Sequence, residues 1–366
     1  MYKLLTILKD VSGYKCYNNE LFICMKTSDL FKNDEFVSKE IDGTSFVVKE
    51  NTLMFLSESD HVTYFYKNKV RKVNCASWLN TLSNNSILIY KYIDELFTIS
   101  LYNIKEDKIN LIREKVDLWN LYREDNLIYF YDKTKVNIKS LSLLTGDYEW
   151  ELDLSGRTQV IMGKTHECKI IELLGVYKNH LVVYMEGDRL LSIDISTGQI
   201  LLETFPFKGL LDVNGFQIWD FRNFKLDTIT GYIYMLNKCF YYKIDIETHQ
   251  STQLKSFFTG NCFSIGRLPN ITENSPRDIM IVKTVHTNDY IYFMGGYGLT
   301  THIIGAFNRI TYQIDWQEDL DLWQTDKYNN LKDIQYSNDK LYLLDTEGNL
   351  HIFEKEKVIN LKESSK

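Results

Sequence analysis

The chain has 366 residues, of which 44% are hydrophobic, 25% charged and 14% aromatic, a balance that excludes a disordered polypeptide. Its 42 basic and 49 acidic residues leave a formal net charge of −7, which argues against nucleic acid as a partner, because such binders carry a basic balance or stripe. With 25 Tyr, 20 Phe and only two alanines, Ala76 and Ala306, the composition turns away from helix and towards sheet.

At the N-terminus only Leu4 to Leu8 is apolar before Lys9 and Asp10. That is too short for a signal peptide, and no apolar run approaches the roughly 18 residues that cross a bilayer. The expectation is a cytoplasmic protein with no membrane partner. A degenerate strand-turn-strand unit begins near Asn19, and weaker units begin near Asn51 and Asn85. The basic run Lys67 to Lys72 between them reads as a solvated hairpin. From Asn126 the pattern becomes clear: an apolar strand Leu127 to Tyr131, a second strand Val136 to Leu143, the turn Thr145-Gly146, and a strand Tyr148 to Leu154.

The insertion Ser155 to Lys169 follows and reads as a long irregular loop. The same grammar returns at 179–205. Leu181 to Met185 is apolar, and Leu191, Ile193 and Ile195 alternate with Ser192 and Asp194. Thr197-Gly198 turns the chain into Ile200 to Phe205. It returns again at 230–257, with the turn Glu247 to His249. A second insertion, Phe263 to Asp278, holds Pro269 and Pro276. Another unit starts near Asn288, and the last runs from Asn338 to Leu361 through the turn Thr346 to Asn349.

Seven or eight copies of a short antiparallel meander over one chain predict an all-β fold: a single β-propeller domain spanning 1–366, of four-stranded antiparallel blades. Seven blades is the favoured count within a range of six to eight. The Asn19 unit is short enough to belong to a blade closed by both chain ends. A small twisted sheet cannot bury both faces alone, and radial packing against its neighbours does so.

The repeats resemble those of the quinoprotein-like (PQQ-like) propeller superfamily. Leu191 to Gln199 matches the strand and Thr-Gly turn of that repeat. Ser142 to Trp150 matches the Thr-Gly turn and the strand carrying Trp, and Leu341 to Leu350 matches the first turn. The resemblance implies architecture and is nearly silent on activity. The chain lacks the vicinal cysteines of several such enzymes, so no cofactor is expected. Trp78, Trp119, Trp219 and Trp323 each sit near the end of a repeat and read as wedges between blades, with an aromatic-lined binding face as the alternative.

Chemistry is sparse. The six cysteines are scattered and read as thiols. No Gly-x-Ser-x-Gly or phosphate-loop motif occurs. His166 and Cys168 would share a face on a strand, but no second pair completes a tetrahedral site, so no metal is expected. Acidic residues gather around Trp316 and Trp323, including Glu318, Asp319 and Asp321, as an aromatic, acidic patch suited to a basic protein. Arg157 and His166 in the first insertion, and Arg267 in the second, complete the expected recognition face.

The function expected is non-catalytic binding of another protein, of basic character, with a bacterial immunity-type protein neutralising a toxin as one concrete form. The alternatives are a lyase or hydrolase with its site in the central funnel, and a scaffold subunit of a larger complex.

Overall fold

The computed structural model describes residues 2–17, 19–39, 46–49, 52–56, 62–66, 69–73, 78–83, 86–103, 106–161, 163–207, 223–236, 240–256, 280–296, 300–320, 322 and 329–356. Among them there is no helix, and strands form eight four-stranded antiparallel sheets plus one two-stranded ribbon. The sheets span 11–38, 46–73, 78–116, 120–153, 170–204, 224–256, 280–319 and, for the eighth, 331–355 together with Tyr2–Leu8. They are numbered here first to eighth in that order. The eight sheets lie within the expected range of six to eight but differ from the favoured count of seven.

Two compact units emerge from the packing: residues 1–58, 63–71 and 279–366, and residues 59–62 and 72–278. In the first, the strand Tyr2–Leu8 pairs with Leu350–Lys355, Tyr2 opposite Lys355 and Leu8 opposite Leu350. Both chain ends therefore share one sheet, as expected. Asn19 corrects the rest of that expectation. It takes a left-handed φ of 64° in the turn between Val11–Tyr17 and Glu20–Met25, inside a separate first sheet. A short unit can still complete four strands, because its third strand, Leu30–Lys32, needs only three residues.

Each core lies between successive sheets. In the second unit, Tyr129, Ile138 and Trp150 of the fourth sheet pack with Leu181, Val183, Leu191 and Ile193 of the fifth. Val182, Tyr184 and Leu190 of the fifth pack with Ile233, Met235, Tyr242 and Ile244 of the sixth. In the first unit, Val11, Tyr14 and Ile23 pack with Tyr342, Leu344 and Leu350. The middle strands are thus covered on both faces. For this reason Ser192, which alternates with Leu191 and Ile193, is as fully buried as they are. Alternation still sets which sheet each side chain meets, but it no longer separates core from solvent.

The recurring turns have one chemical basis. Asp194 Oδ1 accepts the N–H groups of Ser196 and Thr197, each at 2.9 Å, and the Gly198 N–H donates to the Asp194 carbonyl at 2.9 Å. Asp245 repeats this with Glu247, Thr248 and His249, and Asn308 with Ile310, Thr311 and Tyr312. The side-chain oxygen satisfies two donors that the turn would otherwise leave to water. The fifth residue then needs a left-handed backbone, supplied by Gly198 at φ 72° or held by His249 at φ 54°.

Two polar clusters are buried in these packings. In the second unit, His249 Nε2 lies 2.8 Å from Ser192 Oγ and Nδ1 lies 2.9 Å from Thr204 Oγ1. Burial, then the neighbouring His180, push the imidazole down to about 4 against the pull of Asp245. In the first unit, the fully buried Asp345 accepts from Asn329 Nδ2 and Asn349 Nδ2, both at 2.8 Å, and lies 3.1 Å from His351 Nε2. Burial pushes its carboxyl up, but the bonds from His351, Asn349 and Asn329 outweigh it and hold it well below the usual carboxylate range.

Candidate functional site

The turn 132–137 in the fourth sheet organises the candidate site. Asp132 Oδ1 accepts the Lys135 N–H at 3.0 Å and the Thr134 hydroxyl at 2.6 Å, and Oδ2 accepts Asn137 Nδ2 at 2.8 Å. Three bonds on one carboxylate fix the turn, and with it the roots of Lys133 and Lys135. Each lysine reaches an exposed aromatic ring. Lys133 Nζ lies 5.4 Å from the Tyr92 centroid and donates to the Glu95 carbonyl, while Lys135 Nζ lies 4.9 Å from the Trp119 centroid. Trp119 is 57% exposed and Tyr92 50% exposed, with Ile93 exposed beside it. Aromatic faces carry a negative quadrupole, so the ammonium groups hold these rings without covering them.

The two-stranded ribbon rises from the same turn. Its strands are Thr158–Ile161 and Lys164–Glu167, with Thr158 opposite Glu167 and Ile161 opposite Lys164. The Leu154 N–H donates to the Val136 carbonyl on the way in, and the Ile170 N–H to the Lys135 carbonyl on the way out, both at 2.8 Å. Its base is ionic. Arg157 Nη2 lies 2.9 Å from Glu203 Oε2, and Arg189 Nη1 lies 2.5 Å from Glu203 Oε1. Partial burial pulls the Glu203 carboxyl up, but Arg157 and then Arg189 outweigh it and hold it below its ordinary value. Gln159 Nε2 touches Glu186 Oε2 at 3.5 Å. The outer part of the ribbon is open to solvent, including Val160.

The expected site residues fall in different units. Arg157 and His166 belong to the ribbon, in the second unit. Trp316, Glu318 and Asp319 lie on the strand Gln313–Asp319 of the seventh sheet, in the first unit. Asp321, Trp323 and Arg267 lie outside the described residues. Trp316 corrects its assignment to an exposed patch. It is 8% exposed, its ring packed 5.2 Å from Tyr2 and 5.9 Å from Phe353. Strand alternation turns it inward and leaves Asp315, Gln317 and Asp319 outward. Asp319 lies 3.6 Å from His302, and burial raises the Glu318 carboxyl.

The ribbon corrects two further expectations. Ser155 to Lys169 is not irregular, because Gly163 at φ 77° allows a tight reversal between two short strands. His166 and Cys168 do not share a face. The strand ends at Glu167, the Cys168 N–H donates to the Arg157 carbonyl at 2.7 Å, and Cys168 is buried while His166 is exposed. Trp119, expected as a wedge, is exposed. Trp150 and Trp316 are buried against the next sheet instead, and the side chains of Trp78, Trp219 and Trp323 lie outside the described residues. Sequence reasoning missed Tyr92, Lys133 and Lys135. The one signal for them was Asp132 with Thr134 and Asn137, a capped turn that fixes whatever its lysines present.

No protein-family model and no curated protein sequence matches the chain. Solved structures do. The computationally designed Ika8 protein is 14% identical at a TM-score of 0.60, covering 95% of this chain and 96% of its own. BamB from Moraxella catarrhalis, a PQQ-like propeller, is 9% identical at 0.57, covering 97% of this chain and 98% of its own. Saccharomyces cerevisiae Sqt1, a WD40 propeller, is 12% identical at 0.59, covering 97% and 99%. At such identities the likeness speaks for fold alone, and the fold is an all-β propeller of four-stranded antiparallel blades.

Proposed function

We propose that this chain is a protein-binding β-propeller, with repeats of the PQQ-like kind, and that Tyr92, Ile93, Trp119 and Val160 around the 132–137 turn form its recognition surface. The observation that carries the reading is Trp119. A tryptophan with more than half its surface in water, held in place by Lys135, is the side chain best suited to anchor a partner. Tyr92 beside Lys133 repeats the device, and the ribbon adds Val160 and Ile161. A turn fixed by Asp132 presents these groups with little ordering left to do on binding.

The expectation of a basic partner rests on the 315–321 cluster, whose Trp316 is buried, so it forms no part of this proposal. The narrower form, an immunity role in a bacterial cytoplasm with a toxin as partner, suits an acidic binding protein. Co-expression with candidate toxins tests it. The general reading is tested by affinity capture with the wild-type chain and with Trp119→Ala as bait. A stoichiometric partner held by the first and lost by the second supports it. Equal recovery by both baits, or recovery by neither, overturns it.

A further inference from the structure

The ribbon has two edges, and they differ. The Cys168 N–H donates to the Arg157 carbonyl, which makes Arg157 and Cys168 a hydrogen-bonded pair. In an antiparallel ladder such pairs alternate with non-hydrogen-bonded ones. Register then makes Gln159 with His166, and Ile161 with Lys164, the inward-bonding pairs. The backbone groups of Thr158 and Val160 therefore point out of one edge, and those of Thr165 and Glu167 out of the other. The first edge is partly taken, because Arg189 Nη2 donates to the Thr158 carbonyl at 3.2 Å. The second edge has no strand neighbour among the described residues.

Charge on the ribbon is equally one-sided. Arg157 is committed to Glu203, and Glu167 is paired with Lys169 at 2.7 Å. Lys164 and His166 are exposed, share one face of the open strand, and have no acidic partner among the described residues. A strand added to this edge would place alternate side chains beside Lys164 and His166. Carboxylates there would complete the charge pattern. A two-stranded ribbon is marginal by itself, and a third strand would stabilise it.

We infer that the edge Thr165–Glu167 accepts an extended acidic segment of a partner protein as a third strand of the ribbon. The inference rests on the protein-binding reading above and adds the chemistry of the partner. Main-chain bonds to Thr165 and Glu167 supply the attachment, and carboxylates at alternate positions, facing Lys164 and His166, supply the selectivity.

The test uses the full chain and a synthetic peptide of alternating Glu and Val. Amide shifts and exchange protection at Thr165 and Glu167 are followed up to about 1 mM peptide, the weak end of specific binding. The expected result is saturable shifts at these two amides. They should weaken at least tenfold for the peptide with Lys in place of Glu, and for the peptide N-methylated at alternate amides. In the protein, Thr165→Pro should abolish binding, since proline is tolerated on an edge but donates nothing, while Thr165→Ala should retain it. No saturable shift, shifts elsewhere, or equal binding of the Lys peptide would overturn the inference. Capture of a partner through Trp119 with no peptide at the edge removes this inference alone. Peptide at the edge with no partner captured removes the protein-binding reading of Trp119 instead.

Discussion

The indole N–H of Trp150 donates to the Ile195 carbonyl at 2.8 Å, and the same indole lies where a side chain on Gly198 would have to go. Trp150 ends the fourth sheet, and Ile195 and Gly198 belong to a turn of the fifth. The Thr-Gly turn is therefore more than a local device. It presents both the carbonyl and the bare Cα on which the preceding sheet docks.

Gly198→Ala should lower unfolding stability by about 2 kcal/mol or more. It combines a left-handed φ of 72° with a Cβ only 2.7 Å from the indole. Trp150→Phe keeps most of the apolar contact but strands the Ile195 carbonyl, and should cost about 1–3 kcal/mol. Urea midpoints at unchanged slope would check both.

His249 makes stability fall in mild acid. Its imidazole titrates near 4 when folded and near 6.5 when unfolded. Above 6.5 both states are neutral and its contribution is complete. Between 6.5 and about 4 only the unfolded chain takes the proton, so stability falls by up to about 1.4 kcal/mol per pH unit. His249→Asn tolerates the same left-handed backbone and should flatten the profile in that window, measured by urea unfolding across pH.

Asp345 acts in a separate and lower window. Its folded carboxyl lies well below the ordinary range, so its contribution is complete above about pH 4 and is lost as pH falls further. Asp345→Asn sets amide donors against those of Asn329, Asn349 and His351. It should destabilise by about 3 kcal/mol at neutral pH and remove the acid-dependent loss, both readable in thermal unfolding.

Trp119→Ala should leave stability within about 0.5 kcal/mol of wild type, because the ring is mostly in water. Any partner held by this face should bind at least about tenfold more weakly. Calorimetry of both proteins with the captured partner separates the two effects.

Glu203→Gln should loosen the ribbon without unfolding the sheets. It leaves Arg157 and Arg189 side by side without a countercharge. Exchange protection at the inward-bonded amides of Gln159 and His166 should drop by about tenfold, discounting for the partial exposure of the group.

Much of this protein was decided within a few residues at a time, and that much could be read from the chain. Asp194, Thr197 and Gly198 close a turn with bonds that never leave the turn, so the meander and its repetition were visible. The eight-sheet count was less visible, because whether Asn19 sits in a sheet of its own depends on Tyr2–Leu8 leaving to pair with Leu350–Lys355.

Which side chains face water was decided only by tertiary packing. Trp119, Trp150 and Trp316 are alike in sequence context, each near the end of a repeat. Trp150 meets the turn of the next sheet, Trp316 is covered by Tyr2 and Phe353, and Trp119 keeps more than half its surface in water beside the ammonium of Lys135. Likewise Arg157 was singled out from the sequence, but Glu203, which anchors it, and Arg189, which shares that carboxylate, come from a different sheet. Burial and charge pairing depend on which distant strands become neighbours, and period-two alternation carries no record of that choice.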